Sequence, residues 1–193
     1  ISQLQSLVEN LEAKALFIHT NPLQECFQPE GTPQFSGGLK AIERLCREIS
    51  IPVIIKEVGC GFSEKTLNRL KNIGVSAVDV SGRGGTHWGR IEGYRSQPGE
   101  KLYEAAQTFK NWGVSTVESL LSGVRISPNY ELWASGGVRS GLDAARSASI
   151  GSSPPAPGAP SARTPSARGL ALRVSAGDEW QFRPGVAWRA VSG

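Results

Sequence analysis

The sequence predicts an α/β chain in which parallel strands alternate with helices. Three observations carry this. Short apolar or β-branched runs at 15–18, 52–56, 75–80 and 131–134 recur between segments with helical spacing. Polar and glycine-rich stretches follow each run, where parallel α/β architectures place their ligands. Hydrophobic residues make up 39% of the 193, enough for the core of one ordinary domain. Four such strands fit either an open doubly wound sheet or part of a (β/α)8 barrel, which four strands cannot close.

Each element has its own signal. Leu4, Leu7, Val8 and Leu11 form a helical stripe over 2–14, and 15–18 is the first strand. A Pro- and Gly-bearing stretch, 20–36, reads as a loop. Helical spacing returns over 39–46, and Pro52 opens a β-branched strand that ends at Lys56. Ser63 caps a helix over 64–73, with Glu64 in its first turn and Gly74 as the stop. The strand 75–80 leads into a glycine-rich stretch, 81–99, which also reads as a loop. Helices follow near 102–112 and 116–121, then the strand 131–134 and a helix from Gly141.

Charge and composition exclude several classes. The formal charge of +4 divides unevenly: residues 1–150 carry 16 basic and 15 acidic side chains, and 151–193 carry five Arg against one Asp and one Glu. The body is nearly neutral and has no basic patch with interleaved aromatics, so no nucleic-acid partner is expected. No apolar run reaches the length of a membrane span and no signal-peptide layout opens the chain, so no membrane partner is expected. Cys26, Cys46 and Cys60 are odd in number and lack a C-x-x-C pair, which argues against disulfides and a zinc site and for a reducing, cytoplasmic setting. The absence of methionine predicts a stretch of something longer. From 151 to 193 the composition turns to Ala, Pro, Ser, Gly and Arg, and this segment is expected to be a disordered or frame-shifted tail.

Chemistry is expected after the strands. Ser135-Gly136-Gly137-Val138-Arg139 runs from a strand into a helix, a pattern suited to cradling a phosphate with backbone amides, a helix N-terminus and one guanidinium. The stretch from Asp79 to Trp88 offers freed backbone, the hydroxyls of Ser81 and Thr86, and an indole that can lie against a ring. Lys56, at a strand end, can stabilise an electron-rich ring. The first post-strand stretch holds His19, Asn21, Gln24, Glu25 and Glu30, with carboxylates suited to Mg2+ on a diphosphate.

In order, His-x-Asn-Pro-Leu-Gln-Glu with Gln-Pro-Glu-Gly, Pro-Val-Ile-Ile-Lys-Glu-Val-Gly, Asp-Val-Ser-Gly-x-Gly-Gly-Thr-x-Trp with Ile91-Glu92, and Ala-Ser-Gly-Gly-Val-Arg-Ser-Gly-Leu-Asp resemble the FMN-dependent type 2 isopentenyl diphosphate isomerases over about residues 1–150. The resemblance implies a partial (β/α)8 TIM barrel of about four β-α units, followed by a tail outside the family pattern. It implies a 1,3-allylic proton shift between isopentenyl and dimethylallyl diphosphate in isoprenoid biosynthesis, with reduced FMN, Mg2+ and NAD(P)H as reductant, in a parent enzyme that is a homo-oligomer. By the same resemblance, Gln24 and Glu92 are catalytic, and His19, Asn21 and Gln24 contact substrate. Lys56, Ser81, Thr86, Trp88, Gly137, Val138 and Arg139 hold the flavin, and Glu25 binds the metal. The alternatives are a non-catalytic fragment and another FMN-dependent barrel oxidoreductase sharing the phosphate turn.

Overall fold

The computed structural model describes residues 1–151 and two short strands, Trp180–Gln181 (β5) and Arg189–Ala190 (β6), which pair antiparallel. The expectation of a disordered or frame-shifted tail otherwise falls on residues outside those described.

Four parallel strands, β1 (Leu16–His19), β2 (Val53–Lys56), β3 (Ala77–Asp79) and β4 (Glu131–Trp133), lie side by side in sequence order. Successive neighbours pair in the registers Leu16 with Val53, Ile54 with Ala77, and Ala77 with Glu131. The class is therefore α/β, as the alternation predicts, but the partial TIM barrel is corrected: the four parallel strands form an open sheet that closes on nothing among the described residues. The physical reason is the ladder itself, since β1 and β4 each have one strand neighbour and stand at opposite edges. Even so, the sheet coils. The Phe17 and Trp133 rings, from the two edge strands, meet with centroids 6.0 Å apart, although three strand spacings would separate their backbones by about 14 Å.

The two-residue period of a strand sorts the side chains. Val53, Ile55, Val78, Val80, Leu132 and Ala134 point to one face and pack with Leu67, Leu70 and Leu120 from the helices there. Those helices include α1 (Ser2–Asn10), α4 (Glu64–Leu70) and α7 (Thr116–Ile126), with α3 (Gly38–Glu48) and α8 (Gly141–Ile150) supplying partly buried residues. The opposite face carries Phe17, Ile54, Ala77 and Trp133. Beyond this apolar layer, toward the strand ends, the same parity places His19, Lys56, Asp79 and Ser135 on that face.

The helices start where the sequence caps them. Ser63 accepts from the Thr66 amide, and Ser115 and Ser140 form capping boxes with Glu118 and Asp143. Two stretches expected as loops contain helices instead: α2 (Pro22–Phe27) within 20–36 and α5 (Trp88–Gly93) within 81–99. Together with α6 (Lys101–Thr108) they bury Leu23, Phe27 and Ala106 around Cys60. Among the described residues, no helix is long and apolar enough to cross a membrane.

Candidate active site

Two polar networks stand beyond the strand ends. The first lies on the sheet. Lys56 Nζ donates to Asp79 Oδ2 at 2.5 Å, and Ser135 Oγ donates to the other oxygen of the same carboxylate. Asp79 is wholly buried and Lys56 about a quarter exposed, so one carboxylate at the end of β3 joins β2 to the segment after β4. Register sets His19 beside Lys56. Burial lowers the His19 imidazole below its usual range; the Glu25 carboxylate opposes this and the Lys56 charge adds to it.

The second network joins α2 to α5. Asn21 caps α2 by accepting from the Gln24 amide at 2.9 Å, and Pro22 fills the first helical position, where no N–H is needed. His87 caps α5: its Nδ1 accepts from the Arg90 amide at 3.2 Å, so the contact between Nε2 and the Trp112 carbonyl at 3.0 Å requires the proton on Nε2. These caps bring Gln24 and Glu92 together, with Gln24 Nε2 donating to Glu92 Oε1 at 3.1 Å. Arg95 Nη1 donates to Glu92 Oε2 at 2.9 Å and to Glu30 at 2.8 Å. Gln24 Oε1 is buried without a partner.

Between the networks sits Glu57, almost fully buried, which accepts from the amides of Val58 and Cys60, both at 2.8 Å. Burial raises its carboxyl to about 7 despite those amides. Cys60 lies against Asn21, and burial pushes its thiol up to about 12, with Glu57 adding to the rise. A raised thiol favours the neutral form, and Cys60 packs with Leu23, Phe27 and Ala106.

The glycine turn after β4 is held from behind. Thr116 Oγ1 lies 2.6 Å from the Gly136 carbonyl and 3.0 Å from that of Ser135. Gly136 (φ +89°) and Gly137 (φ +80°) both take the left-handed conformation, but a side chain on Gly136 would strike Gly82, whereas the space over Gly137 is open. Val138 is buried and Arg139 exposed. The amides of Arg139 and Ser140, just before α8, donate to Asp143, and the space over Gly137 is left open.

The structure thus brings together Gln24 with Glu92, and His19 with Lys56. Asn21 is buried at its cap. Glu25 accepts from the Thr32 amide at 2.9 Å. Glu30, expected to be available to a metal, is engaged by Arg95. Ser81 is buried at φ +32°, its carbonyl receiving the Gly59 amide at 2.8 Å, while Thr86 is exposed and Trp88 opens α5 about one-third exposed. In the sequence, Asp79 and Ser135 have no role beyond opening the two glycine-rich stretches, and neither Glu57 nor Arg95 is marked. Strand parity pairs Asp79 with Lys56 once the register is known, but no local motif marks Arg95.

Fold and site together define an α/β protein with a glycine turn open over Gly137, a lysine at a strand end and a part-buried amide–carboxylate pair. No family model matches the chain. It is similar to proteins named isopentenyl-diphosphate delta-isomerase: 56% identical over 151 residues to that of Legionella pneumophila (strain Corby), covering 78% of this chain and 44% of the relative. The Bdellovibrio bacteriovorus protein is 54% identical over 153 residues, covering 79% and 44%, and that of Synechococcus sp. 46% identical over 150, covering 78% and 43%. The chain spans less than half the length of these relatives. Their names carry the isomerase but no type and no cofactor, so the resemblance to the FMN-dependent type 2 enzymes is corrected to a similarity to proteins named isopentenyl-diphosphate delta-isomerase, of unstated type.

Proposed function

We propose that this chain forms part of an enzyme that interconverts isopentenyl and dimethylallyl diphosphate by a 1,3-allylic proton shift. The observation that carries the reading is the part-buried pair Gln24–Glu92, whose buried amide oxygen lacks a partner. The names of the relatives support it.

The shift adds a proton at one end of an unactivated alkene and removes one two bonds away, through a cation-like state that water would quench. The protein must therefore orient the alkene, exclude water and offer acceptors aimed at developing positive charge. Gln24 offers such an acceptor at Oε1, and Glu92 holds the amide from behind. Leu23 and Phe27 make the buried side of α2 apolar. Lys56, fixed by Asp79, places a charge at the sheet end beside His19.

The open space over Gly137 and the neighbouring Arg139 fit a phosphate, and Lys56 fits an electron-rich ring, so FMN can be held by Lys56, Ser81, Thr86, Trp88 and the 137–139 turn. Bound there and reduced by NAD(P)H, it would supply an electron-rich surface for the cation-like state. For Mg2+ the fit is narrower. Among the described residues no group of three or more His, Cys, Asp or Glu is placed to hold a metal ion, so Glu25 would give one carboxylate and the diphosphate and water the rest.

The test is conversion of labelled isopentenyl diphosphate by the protein carrying this chain, with FMN titration followed by flavin absorbance. Gln24→Ala is expected to lower turnover by about a hundredfold or more. No conversion by the native protein, or full activity in Gln24→Ala, would overturn the reading; failure to bind FMN would remove the flavin alone.

A further inference from the structure

The Arg95 guanidinium occupies an unusual place. A single nitrogen, Nη1, spends one hydrogen on the nearly buried Glu92 and the other on the exposed Glu30 in the segment after α2. Glu92 therefore accepts at both oxygens, from Arg95 at Oε2 and from Gln24 at Oε1. A carboxylate accepts only, so the amide facing it must present its NH2 group, which turns the carbonyl oxygen of Gln24 the other way. That oxygen is the unpartnered buried atom. A buried acceptor left unpaired is rare, and one whose orientation is enforced from behind points to a donor group, an N–H or O–H of a ligand or a bound water, that completes it.

We propose that Arg95 is a positioning residue: by keeping Glu92 an acceptor at both oxygens, it fixes which end of the Gln24 amide faces the site. Without the guanidinium, Glu92 loses its partner at Oε2, and nothing on that side holds the carboxylate against the amide. The amide, no longer facing a fixed acceptor, can then turn over, presenting NH2 where the carbonyl had been. A site selecting a donor becomes one selecting an acceptor, with no change in the backbone. Glu30 is the outer arm, tying the segment after α2 to the same guanidinium.

The other charged and titratable groups on the elements packed here are Glu25 on α2, Arg90 on α5 with His87 at its cap, and Lys101 and Glu104 on α6. None is recorded in a hydrogen bond or ion pair with Glu92, whereas Arg95 is, so the Arg95 contact dominates its surroundings.

The consequence for proton transfer rests on the function proposed above, but the orientation does not, and it can be read without activity. Labelled native protein, Arg95→Gln, Arg95→Lys and Glu30→Gln are compared by NMR, following the Glu92 carboxyl carbon and the hydrogen exchange of the Gln24 side-chain NH2 between about pH 5 and about pH 8. In the native protein the NH2 stays protected across the range. In Arg95→Gln protection falls about tenfold or more, and the Gln24 and Glu92 signals shift together. Arg95→Lys restores part of the protection, and Glu30→Gln lowers it less than Arg95→Gln does. Native-like protection and an unmoved Glu92 carboxyl signal in Arg95→Gln would overturn the proposal. Should Arg95→Gln fail to fold, the Arg95→Lys and Glu30→Gln results decide alone: both indistinguishable from native refutes it. An inactive native protein that gave the expected NMR behaviour would sink the isomerase reading and leave the positioning role standing.

Discussion

Replacing Gly136 and Gly137 separately by alanine separates conformational strain from packing at the turn after β4. Both backbones are left-handed, at φ +89° and +80°, so each alanine costs about 1–2 kcal/mol of backbone strain. At Gly137 nothing lies within 4 Å of the added carbon, and strain is the whole cost. At Gly136 that carbon falls 2.7 Å from the Gly82 nitrogen and oxygen and 2.9 Å from Thr116 Oγ1. Backbone cannot swing aside as a side-chain tip can, so overpacking adds about 1–3 kcal/mol. With about 2–4 °C per kcal/mol for a chain of this size, Gly137→Ala should lower the melting midpoint by about 4 °C and Gly136→Ala by about 10 °C. Circular dichroism melting at several scan rates, checked by urea unfolding, measures both. Ligand binding should rank them in reverse: a methyl at 137 fills the open space, so stabilisation by added FMN should vanish there first. Equal melting shifts, or a larger one at Gly137, would refute the packing argument.

Three further outcomes follow from the buried polar groups. Glu57 has a carboxyl raised to about 7, so the folded state binds its proton more tightly than the unfolded chain; its contribution to stability falls as pH rises from about 4.5 through about 7, by roughly 3 kcal/mol. Glu57→Gln should remove most of that slope and raise the urea midpoint at pH near 8; an unchanged slope would exclude Glu57 as its source. Asp79→Ala strips the charge partner from Lys56 and the acceptor from Ser135, and should cost about 3 kcal/mol, the low end for a broken buried pair because the lysine head can reach water. An unchanged urea midpoint would refute that. Ser140→Ala removes the acceptor for the Asp143 amide at the start of α8 and should cost about 1 kcal/mol by the same measurement, with no loss marking the capping box as idle.

The four strands were legible because each is an apolar run bounded by turn residues, and strand parity follows from the run itself. Barrel closure was not legible, because it depends on what β1 and β4 pair with, and the ladder in the described residues stops at those edges. The two helices taken for loops mattered more, since they carry Gln24, Glu25, Trp88 and Glu92. For α2 a signal was present in Asn21-Pro22, a capping side chain followed by the residue that best tolerates the first helical position. For α5 it was absent: a histidine cap is uncommon, and glycines at 84, 85, 89 and 93 read as a loop. Two of them are packing devices, since a side chain on Gly89 would meet Leu23 and one on Gly93 would meet Ala106. Small size there lets α5 approach α2 and α6, a reason visible only after the helices are docked.

The pairing of charges constrains how a diphosphate could be met. Lys56 is matched by Asp79, and Arg95 is divided between Glu92 and Glu30. Two of the cations nearest the proposed chemistry are therefore already neutralised, and adding an anion beside them gains less than an unpaired lysine or arginine would give. The amides of Arg139 and Ser140 are likewise turned to Asp143. For this reason the proposed reading favours a diphosphate that arrives with its own divalent cation: one carboxylate, Glu25, is then enough to complete the ion's shell, and a larger acidic cluster would repel the phosphates it was meant to hold. The same pairing leaves Lys56 held in position rather than free to follow a ligand, which suits a charge meant to act on a fixed ring more than one meant to clamp a mobile chain.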